Sequence, residues 1–361
     1  MTAAVIDSLV GVLNRAFGLP VVRKAELPAD DAAWADVLKA SKEQRVLPLV
    51  VYWMDTLPEE QIPEGGDIIR AYLLAERTRK DVRHCLDVLE RLATLMGESG
   101  LDVMFLKGAT LALRYPAPDL RFFGDIDFYL FGEFVRGTEL LAAKGIASED
   151  YYHHHTQACL DGVMLENHYD FVDLENHKSN RVLNDALKAM APAARLPFKI
   201  PGKAPLPNEY RMSPTMEAVF LMRHMSAHFA ASETELRQFY DWVLLLRDDA
   251  DKIDWQEVTK LYEASGMMHF ARIICWIIRE KLGINLPVPL ESTGGPLAER
   301  VWADIFSGES ANRFRKGSLR YYLREAQVLL QNRWKYKLVY PGESFAGLVL
   351  GMLRLKIKLG R

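Results

Sequence analysis

Residues 103–130 read VMFLKGATLALRYPAPDLRFFGDIDFYL. VMFL is a short apolar run closed by Lys107-Gly108, the pattern of a buried strand. ATLALRY follows as a helix start. DIDFYL alternates and reads as a second strand. Residues two apart on a strand share a face, so Asp125 and Asp127 lie side by side while Ile126 and Phe128 point the other way. Adjacent carboxylates repel unless one is protonated or a positive charge lies between them. A divalent cation removes that cost, and Mg²⁺ in phosphoryl-transfer sites is commonly held by one or two carboxylates plus substrate phosphates. Two such ions stabilise both the attacking and the leaving oxygen of an in-line displacement. D-x-D alone is common on exposed strand faces, so its neighbourhood has to support it.

Upstream, Gly108 ends a strand where a helix begins. A glycine there lets backbone approach a phosphate, and a helix N-terminus offers unpaired N–H groups and a favourable dipole. Lys107 adjoins it. Downstream, EFVRGTELLAAKG (133–145) is a helix closed by Gly145, a C-cap. YYHHHTQACL (151–160) and VMLENHYDF (163–171) are strand-like runs separated by Asp161-Gly162, a strong hairpin signal. On the second run Glu166, His168 and Asp170 share one face, with Leu165, Asn167 and Tyr169 on the other. Glu166 thus adds a third carboxylate, placed to act as general base for an acceptor hydroxyl. Strand, helix, strand, helix and hairpin predict an α+β fold: a small mixed sheet with helices on one face.

Farther out the pattern is helical. IDSLVGVLNRAF (6–17) and RHCLDVLERLATLM (83–96) carry apolar residues at three- and four-residue spacing, with the loop LPEEQIPEGGD (57–67) between them. Beyond residue 205, SPTMEAVFLMRHMSAHF opens on Ser213-Pro214, an N-cap and first-turn pair, with Glu217 one turn later. ETELRQFYDWVLLLRD (233–248) and DWQEVTKLYEASG (254–266) follow, the latter capped by Asp254. The division expected is an N-terminal helical region (1–100), a core (101–200) and a C-terminal helical region (205–361). The 361-residue chain is long enough for two or three packed units.

LKGATLALRYPAPDLRFFGDIDFYL (106–130) resembles the signature of the uncharacterised nucleotidyltransferase family of the polymerase-β superfamily, roughly L-K-G-x-x-L…Y-P-x-P-x-x-R-x-x-x-D-I-D-L. The resemblance continues at LENHYDF, where the family has an acidic residue and a His two positions on. It continues again at LMRHMSAHF and LRQFYDW, with two His on one helix and an Asp on the next. It covers roughly residues 70 to 265. It implies a minimal nucleotidyltransferase core flanked by helices that uses Mg²⁺ (or Mn²⁺) and a nucleoside triphosphate. Asp125, Asp127 and Glu166 would then be the catalytic, metal-binding carboxylates. Lys107, Gly108, Ala109 and Arg121 would form the nucleotide site. Ala109 departs from the superfamily pattern, which prefers Gly or Ser there, and so loses a hydroxyl contact to phosphate. Members commonly occur beside polysaccharide-assembly genes, which points to surface-polysaccharide metabolism.

Several residues have two readings. Arg121 either holds a phosphate in a bidentate way or pairs with Asp119 or another acid. Arg114 reads as solvating its helix. His224 and His228, one helical turn apart, either line the acceptor or base pocket, with Asp241 orienting a ring, or are satisfied core histidines. His168 and Asp170 belong to the same pocket. His153-His154-His155 alternate on a strand and cannot all face one metal.

A net charge of −3 recruits no nucleic acid, and none is expected as a partner. NRFRKGSLRYYLREAQ (312–327) and NRWKYK (332–337) interleave aromatics with basic residues, the habit of a solvated helix face or a nucleic-acid patch. The three cysteines, Cys85, Cys159 and Cys275, are scattered and make neither a disulfide framework nor a Cys-rich zinc site. The N-terminus lacks a basic n-region and reads as an amphipathic helix, so a reducing cytoplasm is expected. SFAGLVLGMLRLKIKLGR (344–361) is either a packed terminal helix or a membrane-surface contact. The function expected is Mg²⁺-dependent transfer of a nucleoside monophosphate from a triphosphate to a hydroxyl or phosphate acceptor, a small sugar-like metabolite or a protein. The alternative is a nucleotide-binding regulatory module of the same fold that has lost catalysis.

Overall fold

The structure is a computed structural model that describes residues 1–22, 26–152, 154–174, 177–231, 234–285, 287–307, 319–347 and 349. Four helices come first: α1 (Ala3–Ala16), α2 (Asp31–Glu43), α3 (Leu47–Met54) and α4 (Gly66–Glu98). Thr2 and Asp30 cap α1 and α2 through their side chains, satisfying first-turn N–H groups. The central part holds β1 (Val103–Phe105), α5 (Ala109–Ala112), β2 (Asp125–Tyr129), α6 (Phe134–Ala143), β3 (Ser148–Tyr152), β4 (His155–Leu160), β5 (Val163–His168), α7 (Asn180–Met190), β6 (Arg195–Pro197) and β7 (Glu209–Met212). The remainder is helical: α8 (Pro214–Ala230), α9 (Leu236–Asp249), α10 (Trp255–Ala264), α11 (Met268–Glu280), α12 (Pro296–Ile305), α13 (Leu319–Gln331) and α14 (Arg333–Val339). Ser213 accepts from Met216 N–H at the head of α8, and Asp254 accepts from Gln256 and Glu257 at the head of α10.

The strands form one seven-stranded mixed sheet in the order β3-β4-β5-β2-β1-β7-β6. β2 runs parallel to β5 and β1 parallel to β7, while the other pairs are antiparallel. The β4–β5 turn is Asp161-Gly162 with φ of 51° and 82°, both left-handed, as a two-residue primed turn requires. The sheet is wider than the expected one, because β6 and β7 arrive from beyond α7.

Both faces are covered, which corrects the expectation of helices on one face. Along β1, Val103 and Phe105 join α4 in one apolar cluster, while Met104 and Leu106 join the helices of the other. On β2, Ile126 and Phe128 face the α4 side. Asp125 and Asp127 therefore share the face of Tyr129, toward α8. A strand apolar on both faces needs a layer on each.

Other expectations change as well. YYHHHTQACL is two strands, since Tyr152 pairs with His155 across a turn. His153 lies outside the described residues. The helix after Gly108 is a single turn of four residues, too short for a useful dipole. Arg114 does not solvate its helix but is buried against Glu217 and Asp249, both at 2.7 Å. In the basic stretch, Lys335 is buried and paired with Asp304 at 2.6 Å. Residues 308–318, 348 and 350–361, which include part of that stretch and most of the C-terminal tail, lie outside the described residues. Among the described residues, no helix is long and apolar enough to cross a membrane.

Candidate active site

Strand register builds the centre of the site. In the parallel β2–β5 pair Asp127 lies opposite Glu166 and Tyr129 opposite His168. Four polar side chains thereby meet on one face: Asp125, Asp127, Glu166 and His168. From the end of β1, Lys107 Nζ reaches between the carboxylates, 3.2 Å from Asp125 Oδ2 and 3.0 Å from Asp127 Oδ2. The counter-charge demanded by the Asp pair is thus supplied by this chain.

Burial alone would raise the Asp127 carboxyl, but the Lys107 ammonium and His168 outweigh it and hold the group well below the ordinary carboxylate range. Burial also acts on Glu166, and there the negative charge of Asp127 adds to it, so its carboxyl is pushed up to about 8. Desolvation works against the charge on Lys107, yet the nearby carboxylates raise it above the ordinary lysine value.

His168 is oriented from behind. Its Nδ1 donates to the Asp170 carbonyl at 3.1 Å, and its Nε2 faces Asp127 Oδ1 at 3.1 Å and Glu166 Oε2 at 3.9 Å. A backbone carbonyl behind one ring nitrogen is the usual support of a metal-binding histidine. Gln157 Nε2 donates to Glu166 Oε1 at 3.2 Å, and His155 Nε2 lies 3.5 Å from the same oxygen. The β3–β4 turn brings His154 close as well; the rings of His154, His155 and His168 have centroids 4.7–5.1 Å apart. Ligand atoms of Asp127, Glu166 and His168 lie within 4.8 Å of one another, as do those of the three histidines. This donor set fits a divalent cation.

Two cavities meet at the carboxylates. The larger, about 730 Å³, is lined by Lys107, Gly108, Asp125, Arg45, Arg237 and the helical residues around Asp241. The smaller, about 480 Å³, is lined by Asp127, Glu166, His154, His155 and His168 from the sheet and by α8 residues including Arg223. Lys107, Asp125, His224 and His228 line both. The two α8 rings are 4.4 Å apart, and burial, followed by the proximity of His228 and Lys107, pulls His224 well below the ordinary histidine value.

The other expected residues have different partners. Arg121 is neither on the surface nor paired with Asp119, which binds Arg79 and Arg83. It is buried and forks onto Asp241 at 2.9 and 2.8 Å, with a third bond to the Gly108 carbonyl at 3.1 Å. Asp241 accordingly orients Arg121 and Tyr115, not a histidine. Asp170 gives the site only its carbonyl; its carboxylate pairs with Lys188 and Asn184. Gly108 has φ of +64°, and a Cβ there would sit 3.2 Å from the Phe123 ring. Ala109 is buried behind it and lines neither cavity. Arg237 and Arg223 line the larger and the smaller cavity respectively, and no local motif marks either. Only its spacing, one helical turn before Asp241, could have flagged Arg237.

The fold is α+β, and its mixed sheet presents Asp125, Asp127 and Glu166 where two cavities adjoin. The chain belongs to the family described as uncharacterised nucleotidyltransferase, whose model matches residues 30–283. No curated protein and no solved structure matches the chain.

Proposed function

We propose that the protein moves a nucleoside monophosphate from a nucleoside triphosphate to an acceptor hydroxyl or phosphate, by the two-metal chemistry of the polymerase-β superfamily. One observation carries this reading: Asp125 and Asp127 share a face of β2, and Glu166 stands directly opposite Asp127 on β5. Asp125, Asp127 and Glu166 would hold Mg²⁺ or Mn²⁺, with His168 beside them. Such an ion would neutralise the carboxylates and the charge developing on the phosphoryl oxygens.

The larger cavity takes the triphosphate, with Lys107, Arg45 and Arg237 supplying positive charge and the Gly108 backbone its close approach. Arg121 and Asp241 fix the wall from within. The acceptor oxygen attacks the α-phosphorus from the smaller cavity. A new P–O bond forms, the bond to the bridging oxygen of the β-phosphate breaks, and pyrophosphate leaves. When the acceptor is a hydroxyl, its proton passes to Glu166, which is a carboxylate once a cation stands beside it. His224 and His228 line the passage between donor and acceptor. The acceptor is a small sugar-like metabolite or a protein hydroxyl in surface-polysaccharide assembly in the cytoplasm.

A pyrophosphate-release screen of nucleotides against acceptor extracts tests this. Turnover should appear with Mn²⁺ or Mg²⁺ and fall by about a hundredfold or more in Asp125→Ala and Asp127→Ala. Full turnover in those variants would sink the proposal. A second reading, nucleotide binding without turnover, draws on Lys107, which already fills the gap between the two aspartates. Calorimetry showing triphosphate and Mn²⁺ binding, with no pyrophosphate released across the acceptor panel, would favour it.

A further inference from the structure

Three buried arginines invite comparison. Arg114 is neutralised by Glu217 and Asp249, and Arg121 by Asp241. Arg223 on α8 is 1% exposed, and among the described residues its hydrogen-bond partners are all neutral. Its Nε donates to Asn180 Oδ1 at 2.7 Å, and a second nitrogen bonds the same oxygen. Nη1 reaches Ser226 Oγ at 3.5 Å and the Val339 carbonyl at 3.4 Å. The flat of the guanidinium lies 4.4 Å from the Tyr340 ring centroid. Of the nearby acids, Glu343 is committed to His177 at 2.9 Å and to Ser179, while Asp173 lines the same cavity as Arg223 without an ion pair to it. Burial correspondingly pulls the Arg223 guanidinium below its ordinary value.

An uncompensated buried cation is costly, and a chain retains one when something else supplies the countercharge. Arg223 lines the smaller cavity, the one that also carries Asp127, Glu166 and His168. At about 480 Å³ that cavity is in the range of small-molecule sites, about 300–1,000 Å³. With Nε and Nη2 turned to Asn180, the Nη1 contacts to Ser226 and Val339, at 3.5 and 3.4 Å, are the long ones that an oxyanion in the cavity would replace.

We infer that the smaller cavity binds a small anionic acceptor whose phosphate or carboxylate group pairs with Arg223. This rests on the nucleotidyl-transfer reading for the word acceptor, because the cavity shares the carboxylate centre. It narrows the acceptor class to a phosphorylated or acidic small molecule, in preference to a protein side chain.

Binding is tested without nucleotide and with metal chelated, so that catalysis plays no part. Glucose 1-phosphate, glucuronate and neutral glucose are titrated into the full chain by calorimetry, and melting temperatures are recorded in parallel. At least one anionic sugar should bind about tenfold or more tightly than glucose, and which one does so separates a phosphate from a carboxylate acceptor. Arg223→Met should erase that preference. Arg223→Lys keeps the charge without the fork and should retain a weakened preference. Equal binding of all three sugars to the wild type overturns the inference, whatever the variants do. So does an anion preference that survives in Arg223→Met. Pyrophosphate release with no anion preference would sink this inference alone, and an anion preference with no turnover would sink only the catalytic reading.

Discussion

Lys107 is the residue on which the centre turns. Its ammonium serves two carboxylates at once, so removing it leaves the buried Asp127 without its cation and beside the half-exposed Asp125. Lys107→Met should destabilise the metal-free protein by about 3–5 kcal/mol, the usual cost of breaking a buried charge pair. Mn²⁺ should restore most of that loss in thermal melts, because the ion takes the position of the missing charge. A variant that melts like the wild type without metal would show the pair to be unimportant. Glu166 governs the pH behaviour. Its folded carboxyl is raised from 4.5 to about 8, so the folded protein holds a proton that the unfolded chain has already lost. That contribution to stability is complete below pH 4.5 and is lost as pH rises through about 8. A cation needs the carboxylate, so its affinity should climb with pH up to about 8 and then level off. Calorimetry in two buffers of different ionisation enthalpy should detect about one proton released per ion at pH 7 and almost none well above pH 8. Imidazole beside the carboxylates also favours Mn²⁺ over Mg²⁺ at this position, and His168→Gln should narrow the difference.

At the level of elements, two buried ion pairs fasten helices to the loop after β1. Arg114 reaches Glu217 on α8 and Asp249 on α9, and Arg121 reaches Asp241 on α9 while also holding the Gly108 carbonyl. The second clamp sets the floor of the larger cavity. Arg121→Met and Asp241→Leu should each cost about 3–5 kcal/mol, whereas the double variant should recover much of that loss, since no buried charge is stranded. A double variant as unstable as the sum of its parts would mean that Tyr115 and Gly108 carry the clamp instead. These pairings explain what the sequence shows and what it hides. The alternation of DIDFYL, the Asp161-Gly162 turn and the caps at Ser213 and Asp254 are local chemistry, and each forms as read. The partners of Arg121, Arg114 and Asp241 are set by contacts more than a hundred residues apart, which no local pattern contains. Likewise His154 and His155 join His168 only because a turn splits the run that alternation alone would keep straight. Arg223 reaches the smaller cavity from a helix buried nearly all round, where no apolar–polar periodicity marks the face that meets the site.

On the scale of the whole molecule, one apolar cluster runs from Leu9 on α1 through Phe220 and Trp242 to Tyr340 beyond α14. The first helices and the last therefore share a core, although the sequence suggests separate regions at 1–100 and 205–361. The larger cavity depends on that union. Its wall includes Glu43–Arg45 at the end of α2, Arg237 on α9 and Asp304–Ser307 at the end of α12, segments far apart in the chain. If the cavity takes the triphosphate, donor binding should stabilise the entire chain and not one part of it. Scanning calorimetry should then give a single transition for the wild type. A non-hydrolysable triphosphate with Mn²⁺ at about a hundred times its Kd should add about 2.7 kcal/mol. Spread over a cooperative unit of 361 residues, that corresponds to a rise of about 3–4 °C. Two resolved transitions, with only one shifted by nucleotide, would support the division read from the sequence and place the donor site within a single region. Because Arg45 and Arg237 reach the cavity from different ends of the chain, Arg45→Ala and Arg237→Ala should each shrink the nucleotide-induced rise while leaving the transition single. A rise unaffected by either substitution would move the triphosphate out of this cavity.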